Sequence, residues 1–288
     1  MYPAPFEYHA PSSLDDAIAL LSTYGEDAKL IAGGHSLLPL MKLRFTQPAH
    51  LIDLRMVPGL ADIRDVGSSV VIGARTTHAM LEASSVLQRK IPLLAQTAGC
   101  IGDPLVRNAG TIGGSLAHAD PGADLPAAIL ALEAEMTAVG PRGSRKISAH
   151  DFFVGMLTTA LDAGEVLSEI RVPVPPARSG SAYEKFAHPA SRYALVGVAA
   201  LVTLGSGDVI QQVRIGITGV GARATRAATV EQELTGKRAD EALIRDAASH
   251  AAEGLEPRGD LQGSPEYKAH LVRVSVRKAL TRALDSVV

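Results

Sequence analysis

A chain of 288 residues, 47% hydrophobic and 20% charged, is long enough to bury several cores and too apolar to remain disordered. Its formal charge of −2, without a long basic run, argues against a nucleic-acid partner. A single cysteine, Cys100, excludes an internal disulfide and any thiolate-ligated iron–sulfur or zinc centre built by this chain alone, and it fits a reducing, cytoplasmic setting.

The opening "MYPAPFEYHAPSSLDDA" has no basic region leading into an apolar stretch and predicts no signal peptide. A first unit is expected over residues 1–57. In "SSLDDAIALLSTYG" Ser13 caps a helix, Asp15 and Asp16 suit its first turn, and Gly25 ends it. "AKLIAGG" and "HLIDL" predict strands around a helix from about Ser36, with Pro39 in its first turn.

A middle unit is expected over 58–176. It holds a hairpin ("ADIRDVGSSVVIGA"), one helical stretch ("THAMLEASSVLQRK"), a helix ("LPAAILALEAE") and a hairpin turning at Pro141–Gly143. "EVLSEIRVPVPP" closes it, and Pro173, Pro175 and Pro176 mark a linker. The third unit, 177–288, predicts a three-stranded meander and then helices. Residues 194–204 are too short to span a bilayer and read as a buried strand. Val272, Val276, Leu280 and Leu284 recur every fourth residue along the last helix. Strands and helices without strict alternation define an α+β fold.

Two glycine pairs carry the chemistry: Gly33-Gly34 in "IAGGHSLLPLMKLR" and Gly113-Gly114 in "GTIGGSLAHADPGADLP". Each stands before a helix and is followed by a serine. Such a loop is a tight turn, or a place where backbone N–H groups meet an anion. Two of them suit the two phosphates of a diphosphate, and a side chain at Gly33 or Gly114 would then occupy the phosphate's place. Neither stretch is a P-loop or a G-x-G-x-x-G fingerprint.

His35 and Ser36, adjacent in a turn, do not make a hydrolytic dyad, and no G-x-S-x-G elbow is present. His118, Asp120 and Asp124 lack a second cluster, so no metal site is expected. Cys100 reads as a small buried hydrophobe, and Arg107 and Asn108 order the second loop, face a partner, or simply stand exposed. Asp124 is placed to cap the helix from Leu125.

"AGGHSLLPLMKLR", "RNAGTIGGSLAHADPGAD" and "EVLSEIRVPVPP…YEKFAHPASRYAL" resemble the FAD-binding medium subunit of the molybdenum hydroxylases, and within it the aerobic carbon monoxide dehydrogenases. The resemblance covers essentially the whole chain. It implies two N-terminal FAD-binding subdomains and a C-terminal subdomain with a three-stranded antiparallel sheet and a helix bundle. It also implies FAD on two phosphate loops. Ala32, Gly33, Gly34, His35 and Ser36 would form the first, approached along Lys29, Leu30 and Ile31. Thr111, Gly113, Gly114 and Ser115 would form the second, with Ser115 standing where the family often has Asn or Asp.

By the same resemblance Asp124 lies near the cofactor, Ile101 and Leu167 pack against the flavin, Lys185 lies near it, and Tyr193 stacks on the isoalloxazine. Lys185 also reads as a strand-edge lysine facing water. No side chain serves as catalytic acid or base, since FAD is the redox group. The implied partners are a small iron–sulfur subunit and a large molybdenum or molybdenum–copper subunit, in a dimer of heterotrimers. Electrons would pass to quinone or another acceptor, in the cytoplasm or at the inner face of the membrane through the complex. A related hydroxylase of an N-heterocycle, purine or aldehyde is the alternative. A non-catalytic flavin-binding accessory protein is the alternative of another class.

Overall fold

Ser13 sets the first element. In the computed structural model, which describes residues 2–287, its hydroxyl accepts a hydrogen bond from Asp16 N at 3.1 Å and starts α1 (Leu14–Tyr24). Gly25, at φ 53°, ends it. Strands β1 (Glu7–His9), β2 (Ala28–Ile31) and β3 (His50–Asp53) form a parallel sheet in the order β1-β3-β2. Parallel neighbours need a crossover, and α2 (Leu37–Lys42) supplies it between β2 and β3. Helix α1 buries Ala17 and Ile18 with Ile52 on one face, and α2 buries Met41 with Ile31 and Leu51 on the other. Met1 and Val288, the outer ends of the first and third expected units, lie outside the described residues.

The middle of the chain adds β4 (Ile63–Asp65) and β5 (Ser69–Gly73), then the helices α3 (His78–Ala83), α4 (Ser85–Lys90), α5 (Pro92–Gly99), α6 (Pro104–Ala109), α7 (Ile112–His118) and α8 (Leu125–Ala131). After them come β6 (Glu135–Gly140), β7 (Gly143–Ser148), the short α9 (Ala149–Phe152), the pair β8 (Phe153–Gly155) and β9 (Thr158–Thr159), and β10 (Val166–Pro173). The sheet runs β4-β5-β10-β6-β7 with every pair antiparallel, so the last strand of the unit is its central one. One predicted helix, "THAMLEASSVLQRK", is two. Ser84 turns extended at φ −67°, ψ 113°, and its hydroxyl caps α4 by accepting from Leu87 N.

Beyond the prolines, β11 (Ser179–Ala187), β12 (Ala194–Leu204) and β13 (Ile210–Thr218) form the expected antiparallel meander. A fourth strand was not expected: β14 (Thr225–Arg226) pairs two residues onto the β13 edge, too short to leave a periodic signal. Helices α10 (Ala228–Leu234), α11 (Glu241–Ala248) and α12 (Pro265–Asp285) follow. Helix α12 lies across β11 and β12, burying Val272, Val276 and Leu280 of the apolar stripe, with Leu284 half-buried. The opposite face of this sheet receives α8, whose Ala127 carbonyl rests directly on Gly216. Among the described residues, no helix is long and apolar enough to cross a membrane.

Candidate functional site

The two glycine loops meet, but not as equivalent halves of a cradle. Residues 32–36 connect β2 to α2. Gly34 sits at φ 73°, where an L side chain is strained and where a Cβ would press within 2.9 Å of Leu38 Cδ1. A Cβ on Gly33 would lie 2.8 Å from the Ala109 carbonyl carbon and 2.9 Å from Gly110 Cα. The first glycine of this pair is therefore required by the second loop itself. Among the described residues, the N–H groups of Gly33, Gly34, His35 and Ser36 have no hydrogen-bond partner, which leaves four donors for an anion.

The second loop spends its donors internally. Ile112 N donates to Thr76 O (3.0 Å), Gly113 N to Ala74 O (2.8 Å) and Gly114 N to the Thr111 hydroxyl that caps α7 (3.1 Å). A Cβ on Gly113 would be 2.6 Å from Ala74 O, so this glycine too is a packing glycine. Gly114 is different: a Cβ there meets only Thr111 Oγ1, at 2.8 Å, and otherwise open space. Of the four glycines, Gly114 is the one whose missing side chain leaves room for a ligand.

Between the loops runs a cleft of about 930 Å³, at the upper end for small-molecule sites. Every residue expected to hold FAD lines it except Lys185. Lys29, Leu30, Ile31 and Ala32–Ser36 form one wall, Thr111 and Gly113–Ser115 another, with Ile101, Asp124, Leu167 and Tyr193 completing it. Tyr193 is exposed on the loop before β12, with its Cδ1 3.2 Å from where a Gly122 Cβ would stand. Burial, followed by the charge of Asp120, raises its hydroxyl pKa, while Ser36 across the cleft pulls the other way.

Asp124 and Lys185 depart from the simple readings of the sequence. The Asp124 side chain makes no capping bond to α8, and its backbone is already helical at φ −74°, ψ −45°. Its carboxylate instead accepts from Tyr183 OH at 2.6 Å and from Lys185 Nζ at 2.8 Å; Lys185 also donates to Cys100 O at 2.9 Å. All three side chains are buried, so Lys185 does not face water but stands behind the cleft wall, reaching it through Asp124. Burial raises the Asp124 carboxyl, against the pull of the Lys185 ammonium and the Tyr183 hydroxyl. It raises the Tyr183 hydroxyl well above 10, and the Asp124 charge adds to this. Burial, then the same carboxylate, raises the Cys100 thiol, which suits an inert side chain.

Arg107 ties α6 to its neighbours: its Nε donates to Glu82 Oε2 at 2.8 Å and its Nη1 to Ile101 O at 3.1 Å, while Asn108 donates to Pro104 O. His118, Asp120 and Asp124 do not converge as metal ligands, and Asp120 Oδ1 accepts from Gly122 N.

Two residues escaped the sequence reading. Tyr183 was detectable as the i−2 neighbour of Lys185, hence on the same face of its strand. His78 carried no signal. It lines the cleft, is 5% exposed, and its Nδ1 has no partner. Burial, helped by His35 and Arg107, lowers its pKa from 6.5 to about 4. The unfolded chain then binds the proton that the folded chain refuses between these values, so stability is present above pH 6.5 and is lost as pH falls towards 4. The loss is on the order of 3 kcal/mol. Denaturant titrations across this range are expected to show that slope in the wild type and a flatter one in His78→Gln; equal slopes would remove His78 from the account.

An amide-bearing loop beside a long, largely apolar cleft suits an extended ligand that carries an anionic group rather than a lone phosphate. Residues 4–175 match the family described as the FAD binding domain in molybdopterin dehydrogenase, and residues 181–283 the CO dehydrogenase flavoprotein C-terminal domain. The chain belongs to this family of FAD-binding oxidoreductase subunits, and its cofactor is FAD. The chain is 46% identical to the carbon monoxide dehydrogenase medium chain of Hydrogenophaga pseudoflava, over 98% of each chain. The structure of carbon monoxide dehydrogenase from that organism, lacking the Mo-pyranopterin moiety of its molybdenum cofactor, superposes with a TM-score of 0.97 over 100% of both chains. Quinoline 2-oxidoreductase from Pseudomonas putida 86 superposes at 0.93, with 36% identity over 99% of both chains.

Proposed function

We propose that this chain is the FAD-carrying electron-transfer subunit of an aerobic carbon monoxide dehydrogenase. Its partners are a small subunit with iron–sulfur clusters and a large subunit with molybdenum and copper. One observation carries the reading: the loop-bounded cleft occurs in a chain that matches a carbon monoxide dehydrogenase medium chain end to end. With only Cys100, the chain needs a partner to hold the clusters. The acceptor is quinone or another electron acceptor, and the assembly is a dimer of heterotrimers in the cytoplasm or at the inner face of the membrane through the complex.

FAD supplies the redox chemistry, taking and giving electrons singly or in pairs. The chain's residues bind and orient it. The free amides of Gly33–Ser36 would take the diphosphate, with Gly114 giving it room and the Ser115 hydroxyl available as a further donor. Lys29–Ile31 run alongside. Ile101 and Leu167 would offer the ring system an apolar wall, Tyr193 would stack on it, and Asp124, held by Lys185 and Tyr183, would stand near it as a fixed polar group. Units 1–57 and 58–176 supply most of the cleft wall, and unit 177–288 adds the segment Ser191–Tyr193.

The likeness to quinoline 2-oxidoreductase supports a second reading, the flavin subunit of an N-heterocycle hydroxylase. The test is the complex recovered from its host through a tag on this chain. Flavin, iron, molybdenum and copper, with the visible bands bleached by carbon monoxide, are expected. The same spectrum without copper and inert to carbon monoxide assigns it to the heterocycle class. A colourless chain without partners makes it an accessory binder.

A further inference from the structure

Outside the FAD cleft, the parallel sheet gathers three side chains that neither cofactor nor core uses. Glu7 and His9 stand two apart on β1 and so share a face, and the β1–β3 register sets Glu7 opposite His50. His9 Nε2 lies 3.1 Å from His50 Nδ1. Glu7 Oε2 lies 3.5 Å from His50 Nδ1 and 4.0 Å from His9 Nε2. None of the three lines the cleft.

With zinc–nitrogen and zinc–oxygen bonds of about 2.0–2.2 Å, two ligands at the tetrahedral angle sit about 3.3–3.5 Å apart. The three measured edges bracket that separation, so one ion reaches all three atoms after shifts of a few tenths of an ångström. Two imidazoles and a carboxylate are the donor set of borderline-soft divalent ions. The rings are held in advance: Tyr24 stacks on His50 with centroids 3.7 Å apart and planes at 13°, and on His9 at 5.2 Å and 29°. The site opens to solvent through Glu7, whose side chain is 72% exposed against 21% for His9 and 17% for His50. That leaves a fourth position for water. An imidazole hydrogen bond with Glu7 as an ion-pair partner at 3.5 Å is the arrangement that a zinc titration distinguishes from a bound ion.

We propose that Glu7, His9 and His50 form a divalent transition-metal site of the zinc class that ties strand β1 to β3. The test uses the full chain, stripped with a chelator and titrated with zinc alone by calorimetry, in the wild type, His9→Gln, His50→Gln and Glu7→Gln. The wild type is expected to bind one equivalent that both histidine variants lose and that Glu7→Gln weakens at least tenfold. Cobalt is expected to give a tetrahedral visible spectrum in the wild type and none in His9→Gln. Should a histidine variant fail to fold, Glu7→Gln decides, because it alters an exposed group and keeps the imidazole pair. Zinc binding of equal stoichiometry and affinity in wild type and Glu7→Gln, or no bound equivalent in the wild type, overturns the site and leaves an imidazole hydrogen bond alone.

Discussion

Gly33→Val is expected to lose FAD and stability together, whereas Gly114→Val is expected to lose FAD with the melting temperature nearly unchanged. A side chain at position 33 enters the Ala109 carbonyl and Gly110 Cα, backbone atoms that yield only if the two loops separate. Overpacking of that kind costs about 1–3 kcal/mol or more, roughly 5 °C of melting temperature in a chain of this size. The sequence alone sets a side chain at either position in the phosphate's place, but the added atoms meet different neighbours at the two. At position 114 the added atoms strain only the Thr111 cap, about 1 kcal/mol, which the better helix propensity of valine partly offsets. Gly114 lines the cleft, and a Cβ there meets nothing else within 4 Å. Flavin absorbance per chain and thermal melting separate the two cases. A Gly33→Val chain that melts like wild type would show that the loops do not press on each other, and a flavin-replete Gly114→Val chain would move the diphosphate elsewhere.

Asp124→Ala is expected to be the most destabilising single change at the site, by about 3–5 kcal/mol, because it strands a buried ammonium and removes the acceptor of a buried hydroxyl. The double change Asp124→Ala, Lys185→Met is expected to recover most of that loss, since the pair replaced by apolar groups leaves no buried charge. Denaturant unfolding of both single variants and the double closes the cycle. A double variant no more stable than Asp124→Ala would mean that Lys185 does not depend on Asp124. Tyr183→Phe removes a single neutral partner of the carboxylate and serves as the milder comparison.

What the sequence disclosed was local. Ser13, Gly25 and Pro39 mark helix ends through their own backbone chemistry, and the glycine pairs announce the loops because two copies of a short pattern stand out. The division of labour among the glycines was hidden, since it depends on Ala109 and Ala74 arriving from other elements. Asp124 sits beside a proline and a helix, so capping was the natural reading. The groups that claim it come from β11, about sixty residues away, and only the packing of α8 against that sheet brings them within reach. Strand β1 is three residues long, so its register on β3, and with it the meeting of His9 and His50, left no trace in periodicity. Ser84 illustrates the converse: a serine that breaks a helix and caps the next is visible in the sequence but ambiguous there, because a helix also tolerates serine.

Strand β10 has a consequence for how the polypeptide is made. It is the final piece of its sheet in sequence and the middle one in space, with Ile170 pairing to Ile72 on one side and Met136 on the other. Until the ribosome has released residue 173, the hairpins β4–β5 and β6–β7 each present an unpaired inner edge, the kind of edge that recruits other strands. Closing it is a long-range event, and such events are slow. Leu167, which lines the cleft, arrives with that strand, and Tyr193 arrives later still. The cleft wall is therefore finished only after the sheet is sealed, and one late strand serves both closures.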